Sequence, residues 1–367
     1  MQSRVTLRDV AAKAGVHHTT ASRALKNDPR VCAETLAKIR TLAAEMGYMP
    51  DPMLSALNAY RHANRPSQYH GTVAWVTNFP TRDGWRCSWG INRTPCYELY
   101  YKGAEDQLAR HGYKLEEYWL QESDMTARRS SQVLLHRGIR GLLLCPLPVS
   151  RGHLSLQWEK FSAVSFGYSL LRPRLHLFSA AHFRAITSSM RQLRVRGYRR
   201  IGMVTSYATD ERMDRMWTAA YRAELPTLPQ SQAIPIHLYS DGKNNDSAAA
   251  RKQNEKNFLK WYRQYKPQAI LTSSSPINIW LKAGGYSAPE DVAVVSAALQ
   301  EDERQVSGIV EASREIGRAA ADFLVGMLQR GEHGIPSVPQ RVLLEGSWFE
   351  GTMIEKKVKF TKMAAAA

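Results

Sequence analysis

Four polar side chains on one short predicted helix carry groups that can hydrogen-bond to nucleic-acid bases. A helix is predicted over residues 18–25, with small apolar side chains on its inner face. Its outward positions are His18, Thr19, Ser22 and Arg23. A threonine can hydrogen-bond a base or touch a thymine methyl group, and an arginine can pair bidentately with guanine. These residue types indicate recognition of base edges.

Holding that face against a partner requires two further helices. Thr6 and Asp9 form a capping-box pattern at the start of a helix that Gly15 ends in a tight turn. A third helix is predicted over residues 33–46, where apolar side chains recur on one face. Two helices joined by a turn and braced by a third form a helix-turn-helix, whose second helix enters the major groove. A three-helix module that contacts proteins is the alternative.

The N-terminal sequence resembles the DNA-binding headpiece of the LacI family, the family of the lactose and purine repressors. The resemblance rests on four nearly continuous segments, residues 5–16, 20–25, 34–35 and 47–50. By position, it implies that three side chains read bases, namely His18, Thr19 and Arg23. It also implies that three side chains hold DNA phosphates, namely Thr6, Ser22 and Tyr48.

Three positions depart from the family pattern. His17 stands where the family has a small capping serine, and Cys32 replaces the serine before the third helix. Because serine caps helices better than cysteine, the third helix is expected to be capped more weakly. Lys26 replaces an asparagine and, as a cation, is predicted to contact a phosphate.

Residues 50–66 are predicted to form a hinge helix and linker. Asp51 and Pro52 are an N-cap and a first-turn proline, and apolar residues follow at helical spacing. A helix this short is marginal alone in water. In the resembling family it folds on DNA, pairs with its dimer mate and wedges a leucine into a minor-groove base step, a position that Leu57 holds here. Ordinary linker packing is the alternative role for Leu57.

The composition favours a cytoplasmic globular protein with a polyanionic partner. The 367 residues carry a formal net charge of +17 and are 44% hydrophobic. A basic surface also favours solubility without any partner. The four cysteines are scattered without a CxxC pair, which is typical of reduced thiols. We expect no signal peptide, membrane span, cofactor or metal site, and no catalysis, because the motifs for each are missing from the sequence.

From residue 67 to residue 352 apolar strands alternate with helices in two similar rounds. This alternation predicts parallel sheets covered by helices on both faces. The two rounds predict two α/β lobes with a cleft between them, and residues 353–367 are expected to be a disordered tail. The predicted fold class is an all-α helix-turn-helix headpiece over residues 1–49, followed by the hinge and an α/β two-lobed core.

The core resembles the effector-binding region of the same family, which shares its fold with periplasmic sugar-binding proteins. The resemblance rests on the ordered segments 138–142, 196–202, 267–270, 288–295 and 315–320. Many family members grip sugar hydroxyls with acidic side chains in the cleft. This chain has uncharged residues at the three matching places, 166–168, 273–275 and 296–299, so a typical hexose effector is disfavoured.

The candidate effector pocket combines aromatic, amide, hydroxyl and guanidinium groups. Its predicted members are Asn78, Phe79, Tyr97, Arg212, Trp217, Ser274 and Ser275. Trp217 can stack on a ring, or it can be ordinary core. The insertion over residues 81–94 can cap the cleft or contact a partner, with a solvated loop as the default.

The leading hypothesis is a transcription regulator, a repressor that binds a pseudo-palindromic operator as a homodimer. A small molecule in the cleft, carbohydrate-like or a related metabolite, would act through different affinities for two lobe arrangements. One alternative is a constitutive regulator whose core has lost its effector, which the missing acids suggest. The other is a cytosolic sugar-binding protein or enzyme without specific DNA binding.

Overall fold

Three short helices form the N-terminal unit. The computed structural model of the chain describes residues 5–25, 31–48, 70–86, 96–123, 125–227, 229–240, 247–272, 276–300 and 305–354. The helices are α1 (Leu7–Ala14), α2 (His18–Leu25) and α3 (Ala33–Glu45). Their shared core is built mostly from alanines around Val10 and Ile39, both fully buried. Small side chains let the helices approach closely, so this unit holds α2 rigidly with little buried volume.

The rest of the described chain alternates strands and helices. The strands are β1 (Gly71–Thr77), β2 (Tyr113–Trp119), β3 (Gly141–Leu144), β4 (Gly152–His153), β5 (Ser162–Phe166), β6 (Leu170–Arg172), β7 (His176–Ala180), β8 (Ile201–Ser206), β9 (His237–Tyr239), β10 (Ala269–Thr272), β11 (Ala293–Leu299), β12 (Ser307–Val310), β13 (Arg341–Leu344) and β14 (Ser347–Phe349). The helices are α4 (Cys96–Arg110), α5 (Ala127–His136), α6 (His182–Val195), α7 (Tyr207–Arg212), α8 (Met216–Glu224), α9 (Ala248–Tyr265), α10 (Ile277–Ala283) and α11 (Ser313–Arg330). Five of these strands, β3, β5, β7, β8 and β10, are buried along their whole length, as expected when helices cover both faces.

Two six-stranded sheets organise the described part of the core. The first lobe has the strand order β13-β7-β5-β3-β1-β2, and every neighbouring pair is parallel. The second lobe has the order β14-β12-β11-β10-β8-β9 and is parallel except for β14, which runs antiparallel to β12. The predicted α/β two-lobed class is therefore confirmed.

The chain passes between the two sheets three times within the described residues. It crosses after β7 into α6, after β12 into α11, and between β13 and β14. Each crossing leaves the carboxyl end of a parallel strand, and ligands of open α/β sheets bind outside those ends. The crossings therefore lie beside the cleft that the sequence predicted.

Helices α4 and α11 approach so closely that two glycines are required. A methyl group on Gly103 would lie 2.0 Å from the carbonyl oxygen of Arg314. One on Gly317 would lie 2.1 Å from that of Tyr100. Both neighbours are backbone atoms that no side-chain rotation can move, so the two helices are locked against each other on the first lobe.

Three local features differ from the sequence predictions. Trp85, in the predicted insertion, is fully buried beside Trp75 in the first-lobe core, whereas residues 81–83 before it are exposed. Residues 353 and 354 are not a disordered tail, because Ile354 is buried in the second lobe and the Met353 carbonyl accepts from Val294. Strands β4 and β6, which pair in a separate two-stranded sheet, were not predicted. None of the described helices is long and apolar enough to cross a bilayer.

Candidate functional site

The start of α1 is fixed by a capping box. The backbone N–H and the hydroxyl of Thr6 both donate to Asp9 Oδ2 at 2.7 Å, and the Asp9 N–H donates to Thr6 Oγ1 at 3.4 Å. These hydrogen bonds from Thr6 lower the pKa of Asp9. Thr6 was predicted to contact a phosphate, and its hydroxyl proton is already donated to Asp9. A phosphate contact from Thr6 would therefore require the hydroxyl or the backbone N–H to leave Asp9.

The outer face of α2 presents the side chains predicted to read bases. His18, Thr19 and Arg23 are exposed, and Ser22 is half-buried. Gly15, with a φ of 72°, turns the chain between α1 and α2 and places this face outward. An exposed row at the start of a helix is the geometry that a major-groove reader needs.

His17 contributes an unexpected contact to this face. Its Nδ1 lies 2.9 Å from Thr19 Oγ1, within hydrogen-bond distance, and its ring centroid lies 4.2 Å from that of His18. The residue that departs from the family's capping serine therefore holds two predicted base-reading side chains in place. A base that contacts the Thr19 hydroxyl must share it with His17.

The third helix begins without a side-chain cap. Cys32 is its N-cap residue but makes no capping hydrogen bond; its Sγ lies 2.9 Å from Thr35 Oγ1. The hydrogen bond with Thr35 lowers the pKa of the Cys32 thiol. This geometry agrees with the weak cap that the sequence suggested. Tyr48, predicted to contact a phosphate, is half-buried against the headpiece core.

Four predicted site residues lie outside the described part of the chain. They are Lys26, Leu57, Ser274 and Ser275. The predicted hinge, residues 50–66, lies outside it as well. Their roles remain predictions from sequence.

Arg212 bridges the two lobes. It sits at the end of α7, which follows the carboxyl end of β8 in the second lobe. Its Nε and Nη2 donate to the Tyr97 hydroxyl at 3.0 and 2.6 Å, and Nη2 also donates to the Leu147 carbonyl at 2.5 Å. Tyr97 lies on α4 and Leu147 follows β3, both in the first lobe. The structure thus joins two residues predicted separately for the pocket.

The other described pocket candidates do not converge on that bridge. Asn78 accepts a hydrogen bond from Gln121 at 2.7 Å. Phe79 is 2% exposed and packs in the first-lobe core, so its ring is a structural element and not an open wall. Trp217 is 1% exposed in the second-lobe core, where its indole N–H has no partner among the described residues.

A buried polar group at the crossings was missed by sequence reasoning. His182, at the start of α6, is buried, with Nδ1 4.0 Å from the Glu311 carboxylate and Nε2 3.3 Å from Ser179 Oγ. Its ring lies 6.1 Å from that of Trp217. Burial lowers the pKa of His182 to about 4, so the ring is neutral near pH 7. No sequence motif marks this residue, because its role depends on which elements bury it.

Comparison with known families matches both parts of the chain. The model described as bacterial regulatory proteins, lacI family, matches residues 6–51. The model described as a periplasmic binding protein-like domain matches residues 190–351. A helix-turn-helix headpiece joined to a two-lobed core of this kind defines a DNA-binding transcriptional regulator.

Curated relatives and solved structures agree with that class. The HTH-type transcriptional regulator PtxS of Pseudomonas plecoglossicida is 25% identical over 227 residues, which are 61% of this chain and 60% of that relative. PtxS of Pseudomonas putida is 23% identical over 91% of this chain and 92% of its own length. The lac repressor dimer bound to operator and the anti-inducer ONPF shares the fold, with a TM-score of 0.52 at 18% identity, covering 96% of this chain and 100% of that one. The protein belongs to the LacI family.

Proposed function

We propose that the protein is a repressor that binds a pseudo-palindromic operator as a homodimer in the cytoplasm. The observation that carries this proposal is the exposed row of His18, Thr19 and Arg23 on a rigid three-helix unit. One such unit reads only a half-site, so two-fold symmetry in the protein should be matched by inverted repeats in the DNA. The similar lac repressor structure is a dimer on its operator, which supports the same arrangement here.

Leu57 is assigned the minor-groove wedge in this proposal. Apolar wedges unstack a base step and bend the duplex, so the side chain contributes to both affinity and DNA shape. Lys26, Ser22, Thr6 and Tyr48 are assigned phosphate contacts, which position the headpiece without reading sequence. A Leu57→Ala variant is expected to bend DNA less while the core stays folded; unchanged bending would refute the wedge.

Selection of bound sequences from a random DNA pool tests the DNA-binding half. The full-length chain is expected to enrich two inverted half-sites. An enriched single half-site would contradict the homodimer, and no enriched motif would favour the sugar-binding protein or enzyme. Footprinting of the selected DNA then measures the spacing between half-sites.

The effector half of the proposal places a small molecule, carbohydrate-like or a related metabolite, between the lobes. Arg212 spans this gap, and its guanidinium donates to the neutral Tyr97 hydroxyl and Leu147 carbonyl. A ligand that takes over these hydrogen bonds changes the connection between the lobes, which is how it would bind two arrangements with different affinity. A saturable thermal shift, accompanied by a change in operator affinity, is the expected result of a metabolite screen.

The same bridge favours a second candidate, a constitutive regulator. Arg212 already ties the lobes together through protein atoms alone, so the core can hold one arrangement without a ligand. In that case Arg212→Met should weaken operator binding, Tyr97→Phe should weaken it less because the bond from Arg212 to Leu147 remains, and no metabolite should alter the unsubstituted chain. A metabolite that shifts operator affinity would rule this candidate out.

A further inference from the structure

A basic cavity lies at the opposite edge of the first lobe from the Arg212 bridge. It has a volume of about 760 Å³ and is formed by the β4–β6 pair and the segment before β13. Three residues that line it, Trp158, Arg174 and Ile335, precede β5, β7 and β13 and so lie at the amino edge of the sheet. Tyr97 and Leu147 follow the carboxyl ends of β1 and β3. These three residues place most of the cavity at the amino edge of the sheet, whereas its Arg151 end adjoins Gly152, which packs on Leu147.

The ionisable side chains that line this cavity are all basic residues. Arg151, Arg172, Arg174 and His153 line it, and none of its described lining residues is an aspartate or glutamate. Among the described residues, no ion pair or side-chain hydrogen bond engages the three guanidinium groups, and the neighbouring Glu159 is not paired with them. Three exposed arginines therefore line one concavity, and no described acidic side chain pairs with them.

Guanidinium groups are suited to one kind of ligand group. Their planar donors match carboxylate and phosphate oxygens two at a time, which a lysine cannot do. Like charges brought together without counter-charge repel one another, and an anion bound between them removes that cost. A ligand that complements this cavity therefore carries a negative charge.

The walls between the arginines are apolar. Leu154, Leu171, Pro173 and Pro336 contribute carbon surface, and Ile335 is 54% exposed. A concave site of about 300–1,000 Å³ with apolar walls and a few placed charges is typical of small-molecule binding. A DNA backbone, by contrast, is bound mainly through contacts of Lys and Arg with its phosphates, for which apolar walls contribute little.

We propose that this cavity is a second ligand site, which binds a small organic anion through Arg151, Arg172 and Arg174. The ligand carries a phosphate or carboxylate group on a ring or another apolar skeleton, which Ile335 and the neighbouring prolines cover. The site lies at the sheet edge where β1 begins, the edge that the chain reaches after the headpiece and hinge. It does not depend on the proposed operator or on an effector in the cleft.

Calorimetric titration of the full-length chain tests the site with four probes. Phenyl phosphate and phthalate supply a ring with either a phosphate or two carboxylates, inorganic phosphate lacks the ring, and benzyl alcohol lacks the charge. Saturable binding is expected for one or both ring-bearing anions, tighter than for inorganic phosphate, and not for benzyl alcohol. The preferred ring-bearing anion identifies the ligand group as phosphate or carboxylate.

Charge-matched variants assign the binding to the cavity. The double substitution Arg172→Gln with Arg174→Gln should weaken the bound anion at least about tenfold. The double substitution Arg128→Gln with Arg137→Gln removes the same charge from exposed positions on the same lobe and should leave binding unchanged. If the cavity double variant unfolds at a lower temperature, anion binding is measured in the single variant Arg151→Gln instead.

Four results would overturn the proposal. The first is the absence of saturable binding by any anion, and the second is an equal loss of anion affinity in the two double variants. The third is a loss of anion affinity in Arg212→Met but not in the cavity variant, which would assign the anion to the cleft. The fourth is a cavity variant that binds random-sequence DNA more weakly and with a smaller salt dependence while anion binding is unchanged, which would make this edge a DNA-backbone surface.

Discussion

The headpiece and the inter-lobe cleft hold their functional side chains in opposite ways. On α2, His18 and Arg23 are exposed on a unit whose shape is complete before DNA arrives. In the cleft, Arg212 and Tyr97 are bonded to each other, and Trp217 is buried. A surface of the first kind gains contacts on binding, whereas a cleft of the second kind must exchange internal contacts for those of a ligand.

The two regions also differ in what stabilises them. The headpiece core consists of alanines and a few aliphatic side chains, while the first lobe buries aromatic rings such as Trp75, Trp85 and Phe166 in mutual contact. Larger buried area gives the core the greater share of the stability. Changes in the core should therefore alter unfolding, and changes in the headpiece should alter DNA binding first.

The largest expected effect breaks the core and leaves the headpiece intact. Gly317→Ala should lower the free energy of unfolding of the core by about 3 kcal/mol, because its methyl group meets a backbone oxygen of α4. Gly326→Ala, on the same helix, meets only the flexible tip of Arg330 and should gain about 0.5–1 kcal/mol. Urea unfolding followed by tryptophan fluorescence reports on the core alone, since no tryptophan precedes Trp75. Equal midpoints for the two variants would contradict the locked crossing.

The next largest expected effect is a difference in how the stability of the two regions depends on pH. The pKa of His182 is lowered to about 4 by burial, below the ordinary value of 6.5, so the folded core binds fewer protons than the unfolded chain between these values. Its stability is full above about pH 6.5 and falls by on the order of 3 kcal/mol as pH drops toward 4. The headpiece cap at Asp9, whose pKa is lowered by Thr6, stays ionised in this range.

Substitution of the buried histidine checks that assignment. His182→Gln should reduce the loss of unfolding free energy between pH 6.5 and 4. Burial also lowers the pKa of His237 to about 4, so His237 should account for a further part of that loss. An unchanged slope in the His182 variant would show that the ring is not the group that titrates. Helicity of the headpiece, measured across the same pH range, serves as the internal comparison.

A headpiece substitution should leave the core untouched and change recognition. Arg23→Ala is expected to weaken operator binding by about 2 kcal/mol and random-sequence binding by less, because a base-reading arginine contributes to discrimination. Arg8→Ala, an exposed arginine on α1, provides the matched control and should affect both DNAs alike. Equal losses on the two DNAs for Arg23→Ala would make Arg23 a phosphate contact.

The smallest predicted effect is on the stability of α3 in the headpiece. Cys32→Ser should stabilise α3 by about 0.5–1 kcal/mol, because a serine hydroxyl can supply the cap that the thiol does not. Cys32→Ala should be nearly neutral, since no capping bond is lost. Amide exchange at the start of α3 measures both, and equal protection in the two variants would refute the capping role.

Sequence reasoning predicted the headpiece closely because its determinants are local. The capping box of Thr6 and Asp9, the turn at Gly15 and the apolar spacing of α3 all act within a few residues. The α/β alternation likewise follows from runs of apolar residues. Strands such as β4 and β6 were missed because two or three residues carry no periodicity.

The cleft was predictable only in part, because its geometry is tertiary. Tyr97 and Arg212 were both expected near a ligand, yet they lie 115 positions apart, and their bond depends on how two lobes meet. Phe79 was placed in the pocket and is a core residue, since hydrophobicity alone does not distinguish the two. His182 carried no signal at all, because its sequence neighbours do not reveal its burial.

The close crossing of α4 and α11 fixes the middle of α4, so that a small tilt of the helix displaces its first turn, which carries Tyr97. The contact nearest Tyr97 in this crossing is Tyr100 against Gly317, three residues from Tyr97 and about 4.5 Å along the helix axis. A tilt of about 12° around that contact would move the Tyr97 side chain by about 1 Å, enough to carry a 2.6 Å hydrogen bond from Arg212 past its useful range. Because α11 begins directly after the crossing that holds Glu311, we expect a small rotation of α11 to make or break the hydrogen bond between Arg212 and Tyr97.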